Sequence, residues 1–253
     1  MLGGSIVLSR GNSNSGAGME ATVSFRGHGG GIEECSWASV APASLQIAHP
    51  WRTFRWYRDQ KHYSGTYWSG TMRDHVIYES RLELSRLLFA DFDPSVRAVV
   101  AQPFLLQTVL EGKTRRHIPD YLLLTGPVPV VVDVKPLQRL SKPEVAFTFD
   151  WTRRAVESRG WEYEVWSEPP AAELENIRFL AGYRRDWLFK PEILEALREA
   201  DLDGLPLGQA MRCLPDHPEP QVRSTLYHLL WKQTFVTDLD QPLGPSRILR
   251  RSA

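Results

Sequence analysis

Asp120, Asp133 and Lys135 are charged residues set in and beside some of the most apolar text of the chain, "RRHIPDYLLLTGPVPVVVDVKP" from Arg115 to Pro136. Val128, Val130, Val131, Val132 and Val134 form the nearly unbroken apolar run of a strand covered on both faces. Side chains alternate along a strand, so Asp133 and Lys135 fall on one face, two residues apart. A buried charge without a partner is strongly destabilising. Two compensations are open: a structural contact between Asp133 and Lys135 at the strand's end, or a divalent metal with a phosphate beside it.

Asp120 bears on that choice. It follows Pro119, which lacks a donor and suits the start or edge of a strand, and it precedes Asp133 by thirteen residues with a turn between them. Two adjacent strands joined by that turn bring both carboxylates to one point. Converging carboxylates repel unless a cation sits between them, and hard oxygen ligands favour magnesium or manganese over zinc. Glu83 or Glu79, four residues apart on one helix face, can supply a third oxygen. Each has a plainer reading, since acids in a first helical turn complement the helix dipole. His117 reads as a surface or supporting residue, and Gln138 as part of a solvated loop.

These residues need elements to hold them. "YESRLELSRLLFADFDPS" predicts a helix, with Leu84, Leu87 and Leu88 on one face and a stop at Asp93-Pro94. Val99 to Leu110 and Ile118 to Thr125 predict strands separated by the polar turn "EGKTRR", and Val128 to Val134 a third strand. A helix follows in "KPEVAFTFDWTRRAVESRG", then a strand in "WEYEVWSE". Beyond Pro169 helical segments take over: "PEILEALREA", "LPLGQAMRCL" and "PQVRSTLYHLLWKQ". The last carries a stripe of Val222, Leu226, Leu229 and Leu230. With strands at Phe235 to Leu239 and Arg247 to Leu249, these three helices form the pattern of a winged helix. In that setting Gln221, Arg223, Ser224, Tyr227 and His228 would read a DNA groove.

Bulk properties set the outer limits. The chain has 253 residues, 42% of them hydrophobic, enough for one or two cored domains. Residues 1–50 are rich in glycine and serine without sustained period and are expected to be disordered. Residues 51–180 then form an α/β domain and residues 181–253 a small helical one. Lys plus Arg equals Asp plus Glu at 30 each, so any nucleic-acid surface must be local. One such stretch is Trp51 to Arg73, where five Lys/Arg interleave with aromatics against a single Asp; covering a core edge is the plainer reading. No membrane span, secretory signal, P-loop or internal repeat is found, and the distant Cys35 and Cys213 fit a reducing, cytoplasmic setting.

The order of a helix glutamate, "PD", a spacer of about a dozen residues and "DVK" is similar to the PD-(D/E)XK nuclease signature. More closely, "SRLELSRLLFADFDPSVRAVVAQPFLL", "RHIPDYLL", "VVVDVKP" and "GWEYEVWSEPPAAELENIRFLAGYRR" resemble the TnsA-like endonuclease subunit of heteromeric transposases, over roughly residues 51–185. The resemblance implies a restriction-endonuclease-like mixed sheet flanked by helices, followed by the winged-helix-like domain. It assigns Glu83 as the helix acid, Asp120 as the "PD" acid, Asp133 as the second metal ligand and Lys135 as the catalytic lysine. Some members carry glutamine where Asp133 stands, so the chain follows the general nuclease pattern there.

The activity implied is Mg²⁺-dependent phosphodiester hydrolysis, with Mn²⁺ as a substitute, at the 5′ ends of transposon DNA. The carbonyl of Val134 joins Asp120, Asp133 and Glu83 around the metal, and Lys135 stays protonated as a clamp on the phosphate. Implied partners are DNA, a DDE-type transposase subunit and an ATP-using regulator. Two alternatives remain: a stand-alone restriction or repair nuclease, and a winged-helix regulator in which the acidic cluster is structural.

Overall fold

The computed structural model describes residues 20–52, 63–126 and 128–252. It is a mixed α/β chain whose antiparallel and mixed sheets are flanked by helices. Two compact units emerge, one from the described residues up to Ala90 together with Ser95–Glu168, the other from Asp91–Pro94 and Pro169 onward. The division falls ahead of the boundary expected near residue 180.

The first unit opens with strands β1 (Ala21–Arg26) and β2 (Ile32–Ser36) and a short helix α1 (Pro42–Gln46). Residues 20–50 are therefore folded, contrary to the expectation of disorder; residues 1–19 lie outside the described part. The physical reason is local. Ala21, Val23 and Phe25 alternate with Thr22, Ser24 and Arg26, a period of two that buries the apolar set, and β1 inserts between two other strands. Trp37 then seals the core, donating its Nε1–H to the Ala155 carbonyl at 2.7 Å.

A hairpin of β3 (Gly65–Ser69) and β4 (Asp74–Tyr78) precedes helix α2 (Arg81–Phe92). Residues 53–62 of the aromatic and basic stretch from Trp51 to Arg73 lie outside the described part. The single strand expected over Val99 to Leu110 is two, β5 (Ala98–Ala101) and β6 (Leu105–Leu110), which belong to different sheets. Gln102, in left-handed conformation at φ 46°, and Pro103 turn the chain between them. The "EGKTRR" segment is only partly a turn. Glu111 and Gly112 have φ of 52° and 69°, as a tight two-residue hairpin requires, and Lys113–His117 forms β7 paired with β6.

Strands β8 (Tyr121–Leu124) and β9 (Pro129–Val134) are antiparallel; the short helix α3 (Leu137–Leu140) and helix α4 (Pro143–Glu157) lead to β10 (Glu162–Trp166), which lies parallel to β9. The two four-stranded sheets run β2-β1-β6-β7 and β10-β9-β8-β5. One apolar cluster joins them with α4, through Val23, Leu106, Leu122, Val131, Trp151 and Val156. On β10, Glu164 and Trp166 meet α2, where Arg86 pairs with Glu164 at 2.7 Å and Phe89 packs edge-on to Trp166. Tyr163, one step along the strand, meets Phe149 of α4. Because successive side chains face opposite ways, α2 and α4 cover opposite faces of this sheet.

The second unit holds α5 (Ala171–Leu180), two 3₁₀ turns, α6 (Pro191–Glu199), α7 (Leu207–Ala210) and α8 (Glu219–Trp231). The predicted α8 stripe is buried throughout. The strand pair is shorter than expected: β11 (Phe235–Val236) starts where expected, while its partner β12 (Arg250–Arg251) lies just beyond Arg247 to Leu249. Of the expected base-reading residues, His228 is buried and Tyr227 packs against Phe179 and Tyr183, whereas Arg223 is exposed and Gln221 and Ser224 are half-buried. No helix among the described residues is long and apolar enough to cross a membrane.

Candidate active site

The adjoining ends of β8 and β9 bring the two aspartates together. Tyr121 pairs with Val132 and Leu122 with Val131, which leaves Asp120 just ahead of β8, beside the end of β9 that carries Asp133. Backbone bonds anchor Asp120 there, its N–H donating to Val132 O at 3.0 Å and its carbonyl accepting from the Gln102 N–H at 2.8 Å. Asp120 Oδ2 also accepts from the Val134 N–H at 2.6 Å, which fixes its carboxylate against the end of β9.

Asp133 is only 2% exposed, and two side chains hydrogen-bond its carboxylate. His117 Nε2 lies 2.8 Å from both of its oxygens, and the Tyr163 hydroxyl donates to Oδ2. His117 ends β7 in one sheet, Tyr163 stands on β10 in the other, and both converge on the same carboxylate. His117 was expected as a surface or supporting residue and supports Asp133 here; Tyr163 was not expected in this role. Tyr163 was legible in principle, since it alternates with Glu162 and Glu164 and so faces inward. Burial, followed by the charge of Asp133 and the bond to it, raises the tyrosine pKa well above its ordinary value and keeps it a donor.

Lys135 follows β9 directly. Its N–H donates to Trp166 O at 2.9 Å and its carbonyl accepts from Ser167 Oγ at 2.7 Å, while its ammonium lies 5.9 Å from the centre of the Phe149 ring. No ion pair within 4.0 Å joins it to Asp133 among the described residues.

Glu83 sits in the first turn of α2 and caps it. Ser80 Oγ accepts from the Glu83 N–H at 3.1 Å, while Glu83 accepts from Ser80 Oγ–H at 2.9 Å and from the Glu79 N–H at 2.7 Å. This is a variant of the capping box. Glu79 instead accepts from Gln102 Nε2 at 2.8 Å and pairs loosely with Arg52 at 3.8 Å.

Glu83, Asp120, Asp133, Val134 and Lys135 all line one open cleft of about 440 Å³, which Glu79, His117, Arg52 and Arg116 also border. Burial first, then the charges of Asp133 and Glu83, push the Asp120 carboxyl well above the usual carboxylate range; the Val134 bond and Lys135 oppose this only in part. Burial likewise raises Glu83, and Lys135 again pulls the other way.

Neither a family model nor a curated protein matches this chain.

The fit to a divalent cation rests on that like-charge cluster, which the bonds to Asp120, Asp133 and Glu83 relieve only in part. Hard carboxylate oxygens crowd together with one ammonium beside them, an environment a small dication neutralises. Among the described residues, no three acidic, histidine or cysteine side chains are already grouped as metal ligands. The capping bonds of Glu83 and the bonds of Asp133 to His117 and Tyr163 engage oxygens that a metal would share.

Proposed function

We propose that the chain is a metal-dependent DNA endonuclease acting as the 5′-cutting subunit of a transposition complex, in keeping with its resemblance to TnsA-like proteins. The observation that carries this reading is the convergence of Asp120, just ahead of β8, and Asp133 of β9 in one cleft with Glu83 and Lys135. A mixed sheet with a helix on each face is the support for a restriction-endonuclease-like core. The helical second unit with its short strand pair is the corresponding support for a winged-helix-like domain.

In this reading Asp120, Asp133 and the Val134 carbonyl would hold Mg²⁺ or Mn²⁺, with Glu83 contributing to the same site. Bound there, the metal supplies Lewis acidity and a water of lowered pKa. The protein's own groups do the rest. The Val134 N–H keeps Asp120 in place, His117 and Tyr163 keep Asp133 in place, and the Lys135 ammonium offsets charge gathering on the phosphate in the transition state. A DDE-type transposase would cut and join the other strand, and an ATP-using regulator would complete a cytoplasmic assembly. A stand-alone restriction or repair nuclease would use the same groups. The groove-reading regulator has less support, because His228 and Tyr227 are committed to internal packing.

The test is strand cleavage in Mg²⁺ with partner proteins supplied. Asp120→Ala and Lys135→Ala each abolish cutting while DNA binding survives; undiminished cutting by either variant removes the active-site assignment.

A further inference from the structure

A cleft lined by four carboxyl groups repels a polyanion, so a nuclease built on it needs cations placed to receive the nucleic-acid backbone. Lys135 is one. The cleft has two more, Arg52 and Arg116, which neither the motif nor its spacing marks.

Both arginines are built in from the backbone outward. Gln102 accepts from the Trp51 N–H through its carbonyl at 3.0 Å and from the Arg52 N–H through Oε1 at 2.9 Å. The same side chain donates to Glu79 at 2.8 Å. Gln102 is buried and held at φ 46°, a conformation unusual for any residue but glycine, so its position is imposed by what surrounds it. It pins Arg52 at the cleft while leaving the guanidinium largely exposed. Arg116 stands on β7, the edge of its sheet, exposed, with Nε bonded to Gln107 Oε1 at 2.7 Å. Its neighbour Arg115 faces the other way and rests on the Phe147 ring at 4.7 Å. Cations on an edge strand also deter edge-to-edge pairing. That role needs no particular place along the strand, whereas Arg116 is the one beside His117 at the cleft.

We propose that Arg52 and Arg116 seat the substrate, each contacting a backbone phosphate that flanks the bond facing Asp120. This rests on the nuclease reading and adds to it the residues that place the DNA. Each phosphate contact releases condensed counterions, so the logarithm of the binding constant falls with the logarithm of salt by about 0.9 per contact.

The experiment measures anisotropy of a fluorescein-labelled DNA duplex against salt, using the full chain carrying Asp120→Asn so that the duplex stays intact. Arg52→Gln and Arg116→Gln each lower the salt slope by about one. Arg52→Lys and Arg116→Lys restore the slope, and Arg154→Gln, at an exposed arginine of α4, leaves it unchanged. Circular dichroism melting confirms that each variant is folded. Slopes equal to the parent's in both glutamine variants overturn the proposal; if the unmutated chain still cuts DNA, the nuclease reading stands. A parent chain that neither binds DNA nor cuts it in Mg²⁺ with partner proteins supplied overturns both.

Discussion

His117 and Asp133, sixteen residues apart and on strands of different sheets, meet through a single ring nitrogen 2.8 Å from both carboxylate oxygens. With Asp133 as acceptor, Nε2 is the protonated nitrogen of His117. The contact therefore ties the sheets together at the cleft and satisfies a charge that the apolar run around Val131 cannot. Removing the donor leaves the carboxylate undersatisfied, so His117→Ala costs about 1–3 kcal/mol in urea denaturation. Tyr163→Phe costs a similar amount for the same reason. In an Asp133→Asn background either penalty shrinks, and a double-mutant cycle returns a coupling of about 0.5–3 kcal/mol. Simple additivity would show that the bond is not what holds Asp133.

Asp120 makes an opposite prediction about stability. Its carboxyl pKa is raised by burial and by the neighbouring acids, so around and above its ordinary value of 3.8 the folded state holds a proton that the unfolded chain releases. Its stabilising contribution is full below pH 3.8 and is lost as pH rises through the folded pKa. Without added metal, Asp120→Asn therefore melts higher than the parent near neutral pH, and the gap closes as the pH falls towards 3.8. Mn²⁺ should raise the parent's melting temperature and leave the variant's unchanged. A variant that melts lower at neutral pH would mean that the cluster is already neutralised by other groups.

Glu83 has two jobs that one pair of variants separates. As a cap it needs only an acceptor, which glutamine supplies; in the site it needs charge. Glu83→Gln should change folding stability by less than about 0.5 kcal/mol yet lower Mg²⁺-dependent cleavage far more than Glu79→Gln does. Glu83→Ala, which also loses the cap, should cost about 0.5–2 kcal/mol. Full cleavage by Glu83→Gln would leave the residue as a helix cap alone.

The parts of this site that could be read from the sequence are those set by local periodicity. Alternation fixed which of Val130 to Lys135 share a face, and the turn between two strands made Asp120 and Asp133 neighbours. What was not legible came from long-range pairing. His117 reaches Asp133 because β7 belongs to the other sheet, and nothing in "RRHIPD" states that. Val99 to Leu110 reads as one apolar strand only if Pro103, a visible break signal, is passed over; the left-handed angle of Gln102 beside it leaves no mark in the sequence. Glycine-rich composition hid the alternation in "ATVSFR", although the signal was present. In the second unit, the helical stripe of α8 was clear, but the burial of His228 depends on Tyr183 and Phe189, which arrive from elsewhere in the chain.

That histidine carries the last prediction. Its Nδ1 lies 2.7 Å from the Tyr183 carbonyl, its ring stacks on Phe189 with centres 4.3 Å apart, and Asp186 Oδ1 is 3.7 Å from Nε2. Burial lowers its pKa below 6.5, outweighing the favourable bond to Tyr183 and the charge of Asp186, while Lys232 and Arg198 push the same way as burial. Between that lowered value and 6.5, the unfolded chain binds a proton that the folded unit excludes, so the contribution of His228 is present above pH 6.5 and is lost as pH falls below it. His228→Gln retains a donor for Tyr183 and removes the titration. It should be less stable than the parent near neutral pH, through the lost stacking, with the difference narrowing as the solution is acidified. Urea denaturation of both proteins across that range measures this, and a constant difference would show that the imidazole takes up its proton without opening the fold.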